Sequence, residues 1–463
     1  VEKLKFGLFT YYGEKMDIEG YIRRCLRKNT SEDKIIEDGF KKVMEIKEGV
    51  SEDWAERFVK AVLEEVRTTE KYKEIEDKDL KYILDFPRSE VTMGKMGVGS
   101  RGEGDFFVHR EIARIIESTK QKTEVDSREQ DDAGVVKANA QYIVVAVDGT
   151  HSRLSDFPFL AGFHVTRAAL RDVFVMGADA KALISNIHLA DDGDVSKIFD
   201  YTGGVCAVSE AIGVPLVSGS TLRVGGDMVL GDRMVSSVGA IGVIEDGRPT
   251  ARKRAEVGDV ILMTEGSGGG TITTTALYYG MFDVIYETLN VDFLKACKNL
   301  IKYDLLKHIH VMTDVTNGGL RGDAYEISKT AKVSLEFDKE KVYDLINPKV
   351  LDMLNKLNID PLGVSVDSLL IIAPKEYADE ISKKTGAKVV GEVKEGDTSY
   401  LIDKNEKIPL IPMFREAAYT PVKKVVGEQK PEDFEIMKEK VKEACDNAIK
   451  KKNFIVKLLK KKI

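Results

Sequence analysis

Apolar residues recur at helical spacing in the first ninety positions and at strand spacing through the middle of the chain. Trp54, Phe58, Val59, Val62, Leu63 and Val66 form one stripe along a helix. Ser51 opens that helix as an N-cap, and Glu52 and Asp53 suit the positive end of its dipole. Such a stripe is expected to pack on the body of the protein. Pro87 closes this charged, helical segment, and a glycine-dense loop over 91–105 follows, then an amphipathic helix over 108–118.

The middle alternates strands with helices. Strands are predicted over 141–147, 184–190, 215–218 and 235–244, with helices over 161–176 and 201–213. A charged turn over 245–258 divides this half from a second one. There the strands are predicted over 259–264, 309–312, 369–373 and 388–393, with helices ending near 279, starting near 320, and over 374–384. Beyond Pro412 the pattern turns helical again, most clearly from Pro431, and closes on a lysine-rich run that suits a helix C-terminus. A solvated helical tail is expected, with a partner-binding arm as the alternative. The division that results is a helical extension (1–88), two mixed domains (89–245 and 246–413) and a lysine-rich tail (414–463).

Length agrees with that division, since 463 residues exceed one ordinary core. Hydrophobic content of 43% with 32% charged residues describes a soluble globular protein, and a net charge of −7 argues against a general nucleic-acid binder. No apolar run approaches the roughly 18 residues that span a bilayer, and residues 1–5 begin no secretory signal, so a cytoplasmic protein is expected. Cys25, Cys206, Cys297 and Cys445 are too scattered for a disulfide framework or zinc knuckle. His308 and His310 share one face of a strand, without a third metal ligand nearby.

Three stretches carry candidate chemistry. Met312-Thr313-Asp314-Val315-Thr316-Asn317-Gly318-Gly319-Leu320 delivers a carboxylate at a strand end, then glycines, then a helix. That order suits a magnesium–phosphate site, or else an Asp-initiated turn that caps the helix. The loop with Gly94, Gly97, Gly99, Gly102 and Gly104 also holds Lys95 and Arg101. It lacks the Gly-Lys-Ser/Thr ending of a Walker loop, so it either wraps phosphates with its amides or is simply flexible. Glu265-Gly266-Ser267-Gly268-Gly269-Gly270-Thr271 lies between a strand and a helix, where amides at a helix N-terminus face an anion.

Five pieces in order resemble the superfamily of aminoimidazole ribonucleotide synthetase, selenophosphate synthetase, thiamine monophosphate kinase and hydrogenase maturation protein E. Asp131-Asp132-Ala133-Gly134-Val135-Val136 resembles the Asp-Asp-Ala-Ala-Val-Ile element of the kinase and maturation branches. Val147-Asp148-Gly149-Thr150 is similar to the Thr-Asp-Gly/Ser element. Arg171-Asp172-Val173-Phe174-Val175-Met176-Gly177-Ala178 follows the Asn-Asp-Leu-Ala-x-Met-Gly-Ala helix except at its first residue. Gly219-Ser220-Thr221 stands where Gly-Glu/Asp-Thr is usual, and 314–320 resembles Asp-Val-Thr-Gly-Gly-Gly-Leu. The pattern spans about 91–400 and is nearest the maturation branch.

The resemblance implies a PurM-like α+β fold of two α/β domains, the first completing a β-barrel across a homodimer and the second an α/β sandwich. It implies ATP and Mg²⁺ as cofactors, and phosphoryl transfer to an amide-type or other oxygen of a small-molecule or carrier-protein substrate. The rival reading is an ATP-binding assembly factor with little turnover. Carried over by position, Asp131, Asp132, Asp148, Asp172 and Asp314 are the implied metal ligands. Gly97, Gly99, Thr150, Gly219, Ser220, Thr221, Gly268, Gly269, Gly270, Thr271, Asn317 and Gly318 are the implied nucleotide contacts, with Lys95, Arg101 and Arg171 as catalytic candidates. Arg171 replaces the family Asn, and so either contacts phosphate or weakens a metal position; Ser220 replaces an acid. The chain ends Lys461-Lys462-Ile463 without the carrier cysteine of the maturation branch, and the glycine loop lacks the selenophosphate branch's Cys or Sec, so neither specialised reaction is expected.

Overall fold

The computed structural model describes residues 17–461 apart from Ser127, Asp227 and Asn317. Three helices, Ile18–Arg27, Glu32–Ile46 and Glu52–Glu70, form an N-terminal bundle. The Ser51 hydroxyl accepts the Trp54 amide at 3.2 Å, as an N-cap should. Val59, Val62, Leu63 and Val66 are buried, yet mainly against Ile18, Ile22, Ile35 and Val43 of the other two helices. The stripe therefore builds a small core of its own, a correction to the expected packing on the body. The bundle meets the body through Met228 and Leu230 and through Lys47, whose Nζ donates to Asp192 at 2.6 Å and also meets Asp191.

The first sheet contains β1 (Gly134–Ala138), β2 (Gln141–Gly149), β3 (Asp179–Leu189), β4 (Leu216–Arg223) and β5 (Met234–Ile244) in the order β1-β2-β5-β3-β4. Strand alternation sorts its faces. Val144 and Ala146 of β2 are buried, while Val145 and Val147 between and after them are exposed. The helix Pro158–Val175 packs on β2 and β5 and against the helix Ser196–Ile212. The sheet stays open in the single chain, with β1 and β4 as its edges.

The second sheet runs through β6 (Val260–Met263), β7 (Val311–Asp314), β8 (Val333–Asp338), β9 (Leu369–Ala373), β10 (Lys388–Glu395), β11 (Tyr400–Asp403) and β12 (Glu406–Pro409), ordered β12-β11-β8-β10-β6-β9-β7. Every residue of β6, β7 and β9 is buried, which accounts for the unbroken apolar runs of β6 and β9, while β7 carries Thr313 and Asp314 into the interior. Leu369 and Ile371 share a core with Phe174 and Val173 of the first domain, whereas Leu370 and Ile372 join the second domain's own core. One face of the second sheet thus seats on the helix that carries Arg171 and Asp172.

The C-terminal helix Phe434–Lys461 corrects the expectation of a solvated tail. Cys445 is buried and its thiol donates to the Glu111 carbonyl at 3.2 Å, while Phe434 meets Phe414 edge-on at 5.3 Å. Phe454 meets Tyr82 edge-on at 5.4 Å, tying the C-terminal helix to the short helix Lys78–Leu84. Among the described residues no helix is long and apolar enough to cross a membrane.

Candidate functional site

The helix Pro158–Val175 is buried along nearly its whole length, yet it carries His164, Arg167, Arg171 and Asp172. Ionisable groups are tolerated in such a helix only if they are paired or face a solvated cleft. Here a cleft of about 650 Å³ opens beside them, with Asp148 from β2 and Asp314 from the end of β7 on its walls. Strand alternation puts Asp148 on the face of β2 shared by buried Val144 and Ala146, and Asp314 is the last residue of β7, paired with Leu369 of β9.

These carboxylates strain against one another. Burial, then Asp314 and Asp148, push Asp172 well above the usual carboxylate range. Burial also raises Asp148, with Arg171 opposing, and lifts Asp314 to about 6 against the pull of Arg171. Asp131 is pushed up to about 7, chiefly by burial. Asp132 Oδ2 is buried with no hydrogen-bond partner among the described residues.

Four arginines answer this charge. Arg171 Nε lies 3.0 Å from Asp314 Oδ2 and its Nη1 meets Asp367, which Arg167 also pairs. Of the two roles open to Arg171 in the sequence, phosphate contact or interference with a metal position, the structure shows a third, as an internal counter-ion. Arg252 is fully buried; its amide donates to Asp131 Oδ1 at 3.2 Å, and its Nη2 to Asp132 Oδ1 at 2.7 Å and Thr313 Oγ1 at 3.0 Å. Arg101 donates to Thr316 Oγ1 at 2.6 Å and Glu326 Oε2 at 2.7 Å, and Arg252 shares Glu326.

The glycine-dense loop is not slack. Buried Asp105 accepts the amides of Gly99 at 2.9 Å and Arg101 at 2.7 Å, holding Arg101 at φ +45°. Gly318 adopts φ +84°, and a Cβ there would fall 2.7 Å from the Arg101 carbonyl oxygen. What approaches the backbone at Gly318 is therefore this loop and not an open ligand path.

Of the positions singled out in the sequence, Asp131, Asp132, Asp148, Asp172, Asp314, Arg101 and Arg171 share the cleft with Gly99, Thr150, Gly269, Gly270 and Thr271. Thr150 also donates its amide to the Ser236 carbonyl at 2.9 Å. The others lie elsewhere. Lys95 pairs with Asp433 at 2.6 Å on the surface, and Gly97 packs near Phe414 and Arg415. The Gly268 amide is spent on the Val366 carbonyl at 2.8 Å. Gly219, Ser220 and Thr221 lie on exposed edge strand β4. Asn317 lies outside the described residues. His308 stacks on Tyr377 at 3.8 Å while His310 contacts Asp259 at 2.8 Å, so the two do not converge.

Sequence reasoning missed Arg167, Arg252, Asp323, Glu326, Asp367 and a wall formed by His151, Glu416, Tyr419 and Lys423. Arg167 had a signal, one turn before Arg171 on an apolar helix. Arg252 hid in a turn read only as a divider. His151 Nε2 lies 2.6 Å from the Tyr419 hydroxyl and its Nδ1 3.2 Å from Thr274 Oγ1. Burial, then Lys423 and Arg153, hold His151 down at about 4, so it is neutral at pH 7.

Among the described residues no preformed cluster of three His, Cys, Asp or Glu side chains has metal-holding geometry. The donor chemistry nevertheless fits Mg²⁺. Asp148, Asp172 and Asp314 offer hard oxygens whose mutual repulsion a divalent cation would relieve, and Asp132 Oδ2 is an orphaned acceptor on the same wall.

Comparison with known proteins identifies the lineage. The chain belongs to the AIR synthase related protein family, whose N-terminal domain matches residues 130–244 and C-terminal domain residues 256–404. An uncharacterized protein of Methanocaldococcus jannaschii is 75% identical over 447 residues, covering 96% of this chain and 99% of that one. Selenide, water dikinase of Pseudomonas straminea is 26% identical over 222 residues, which are 47% of this chain and 59% of the relative. The HypE–HypF complex superposes with a TM-score of 0.52 at 19% identity over 65% of this chain and 99% of the matched one. AaThiL complexed with AMPPCP and TMP gives 0.51 at 18% identity, covering 66% of this chain and 96% of that one. At such identities the structural likeness is one of fold, the PurM-like α+β two-domain fold. The bundle, the glycine-dense loop and residues 405–461 lie outside the matched domains.

Proposed function

We propose that this chain binds ATP with Mg²⁺ in the cleft and transfers a phosphoryl group to an amide-type or other oxygen of a small-molecule or carrier substrate. The observation that carries the reading is the convergence of Asp148, Asp172 and Asp314 on the cleft that also receives the start of the helix Gly270–Tyr278. Those three carboxylates, with Asp132, would hold Mg²⁺, which supplies charge neutralisation to a triphosphate. Gly269 and Gly270 open the helix Gly270–Tyr278, whose positive end favours a phosphate. Arg171 and Arg252 keep the carboxylates apart and oriented rather than reaching for substrate. HypE in complex with ATP, which superposes with a TM-score of 0.51 at 19% identity over 67% of this chain and 92% of that one, supports ATP as a ligand of this fold.

A second reading, an ATP-binding assembly factor with little turnover, draws on the same arginines, because built-in cations lower the charge left for metal. The two separate on turnover. Mg-ATP should stabilise the fold by about 2.7 kcal/mol at 100-fold excess over Kd under either reading. Release of ADP or AMP that rises with added metabolites supports the enzyme; nucleotide binding without such release supports the assembly factor. No melting shift with any nucleotide would sink both.

A further inference from the structure

Residues 413–423 follow β12 and lie as a strap on the glycine-dense loop. The Glu103 amide donates to the Met413 carbonyl at 3.1 Å and the Glu416 amide to the Ser100 carbonyl at 3.2 Å. The strap brings Glu416, Tyr419 and Lys423 to one end of the cleft, together with His151 and Arg153. Glu416 is only 5% exposed; its Oε1 pairs with Lys423, but Oε2 is buried with no partner among the described residues. A buried carboxylate oxygen without a donor is costly, and its retention calls for an explanation. Arg153 lies 4.0 Å over the Tyr278 ring, and its guanidinium makes no hydrogen bond or ion pair to another described residue. One unpaired acceptor and two cations therefore face the same space.

We propose that this end of the cleft is the subsite of the second substrate, and that it takes a small anion carrying an N–H or O–H donor beside its charge. Arg153 and Lys423 hold the phosphate or carboxylate, and Glu416 Oε2 accepts the donor. Tyr419, fixed by His151, forms the wall. The assignment rests on the nucleotide reading in one respect, that ATP occupies the carboxylate end. Asp148, Asp172 and Asp314 lie in the matched family domains, whereas Glu416, Tyr419 and Lys423 lie beyond residue 404. The family's relatives differ in their second compound, selenide in one and TMP in another, so a selecting element outside the common domains is expected.

The test titrates O-phosphoethanolamine against ethyl phosphate, and β-alanine against propionate, into the full chain by saturation-transfer NMR, with and without Mg-AMPPCP. The parent should bind at least one bifunctional probe about tenfold more tightly than its monofunctional counterpart, and the pair that discriminates names the anion. Glu416→Gln should erase that ratio, and Arg153→Met should weaken the anions, while Mg-AMPPCP affinity moves less than about threefold. Equal binding within both pairs, or an unchanged ratio in folded Glu416→Gln, overturns the subsite. Equal loss of probe and Mg-AMPPCP overturns it by assigning the strap to the nucleotide. Failure of the parent to bind Mg-AMPPCP refutes the nucleotide reading, while the probe ratios without nucleotide still decide the subsite.

Discussion

Arg171 Nε stands 3.0 Å from Asp314 Oδ2, so a helix of the first domain is pinned electrostatically to the last residue of β7 in the second. The same guanidinium meets Asp367, and all three side chains are at least nine-tenths buried. A buried pair adds little net stability over an apolar replacement, but removing one partner strands the other. Arg171→Met strands Asp314 and leaves Asp367 to Arg167 alone. It should cost about 3–5 kcal/mol by denaturant unfolding, and Arg171→Lys distinctly less. A loss below about 1 kcal/mol for the methionine variant would show that the carboxylates protonate at little cost.

The ligand-free protein should lose stability as pH rises from about 4 to about 8. Asp314, Asp131 and Asp323 have folded-state values near 6, 7 and 8, each raised first by burial from an ordinary 3.8. A raised acid holds its proton longer in the native state than in the unfolded chain. Its stabilising contribution is complete below about 3.8 and lost as pH climbs through the folded value. With a metal chelator present, melting should be higher at pH 5 than at pH 8, and Mg-ATP should shrink that difference by favouring the ionised carboxylates. A flat or rising profile in the chelated protein contradicts the burial argument.

Asp148→Asn and Asp314→Asn should both weaken Mg²⁺-dependent ATP binding, by about tenfold or more, equivalent to about 1.4 kcal/mol. Their effects on folding should differ. Among the described residues Asp148 has no ion pair and accepts only the Gly149 amide, at 3.1 Å, so its neutralisation relieves repulsion and leaves stability unchanged or improved. Asp314→Asn leaves Arg171 with a weaker partner and should lower the melting temperature. Calorimetric titration with Mg-AMPPCP alongside melting curves reads both; parental nucleotide affinity in both variants would make these acids turn residues only.

How much of this was legible in the chain depends on how local each signal is. β2, β5 and β9 announced themselves as apolar runs, and the helix at 158–175 as a long apolar stretch ended by Gly177. β1 was obscured because its five residues follow an acidic pair that reads as a site motif. The hairpin of β11 and β12 turns at Lys404, φ +57°, without the Asn-Gly signal that marks such turns. In the cleft, acids at strand ends could be read from order and spacing. Their arginine partners could not, since Arg101 reaches Glu326 and Arg252 reaches Asp132 only after both domains have folded together. The Glu416 strap is still more remote, and no local pattern marks it.

Gly318→Ala should be poorly tolerated, for two reasons that act together. The residue holds φ +84°, and its new Cβ would press on the carbonyl oxygen of Arg101, a residue whose amide Asp105 accepts. Strain of this kind costs of order 1–3 kcal/mol, and relieving it by moving the loop would weaken the Arg101 bonds to Thr316 and Glu326. Protease nicking within 97–104 should rise in the variant. Parental melting and protease resistance together would mean that the loop moves without penalty.

The open first sheet supports a last prediction, that two copies pair through it. Val147, Ile184, Val235 and Leu222 are 71%, 40%, 56% and 57% exposed. Pairing aligns Val147 with Ile184 through Gly239, and Val235 with Leu222 through His188, so the four lie on one face. An apolar sheet face of this kind, bordered by strand edges, marks an interaction surface, and a second copy is the partner the PurM-like resemblance implies. The full chain should scatter light as a dimer at micromolar concentration, and Val147→Lys with Leu222→Lys should give a folded monomer. Removing residues 1–88 should leave the dimer, because the bundle meets the domain at Asp191, Asp192, Met228 and Leu230 and not at these valines. A monomeric parent chain would contradict the pairing, and a double-lysine variant that stayed dimeric would move the interface elsewhere.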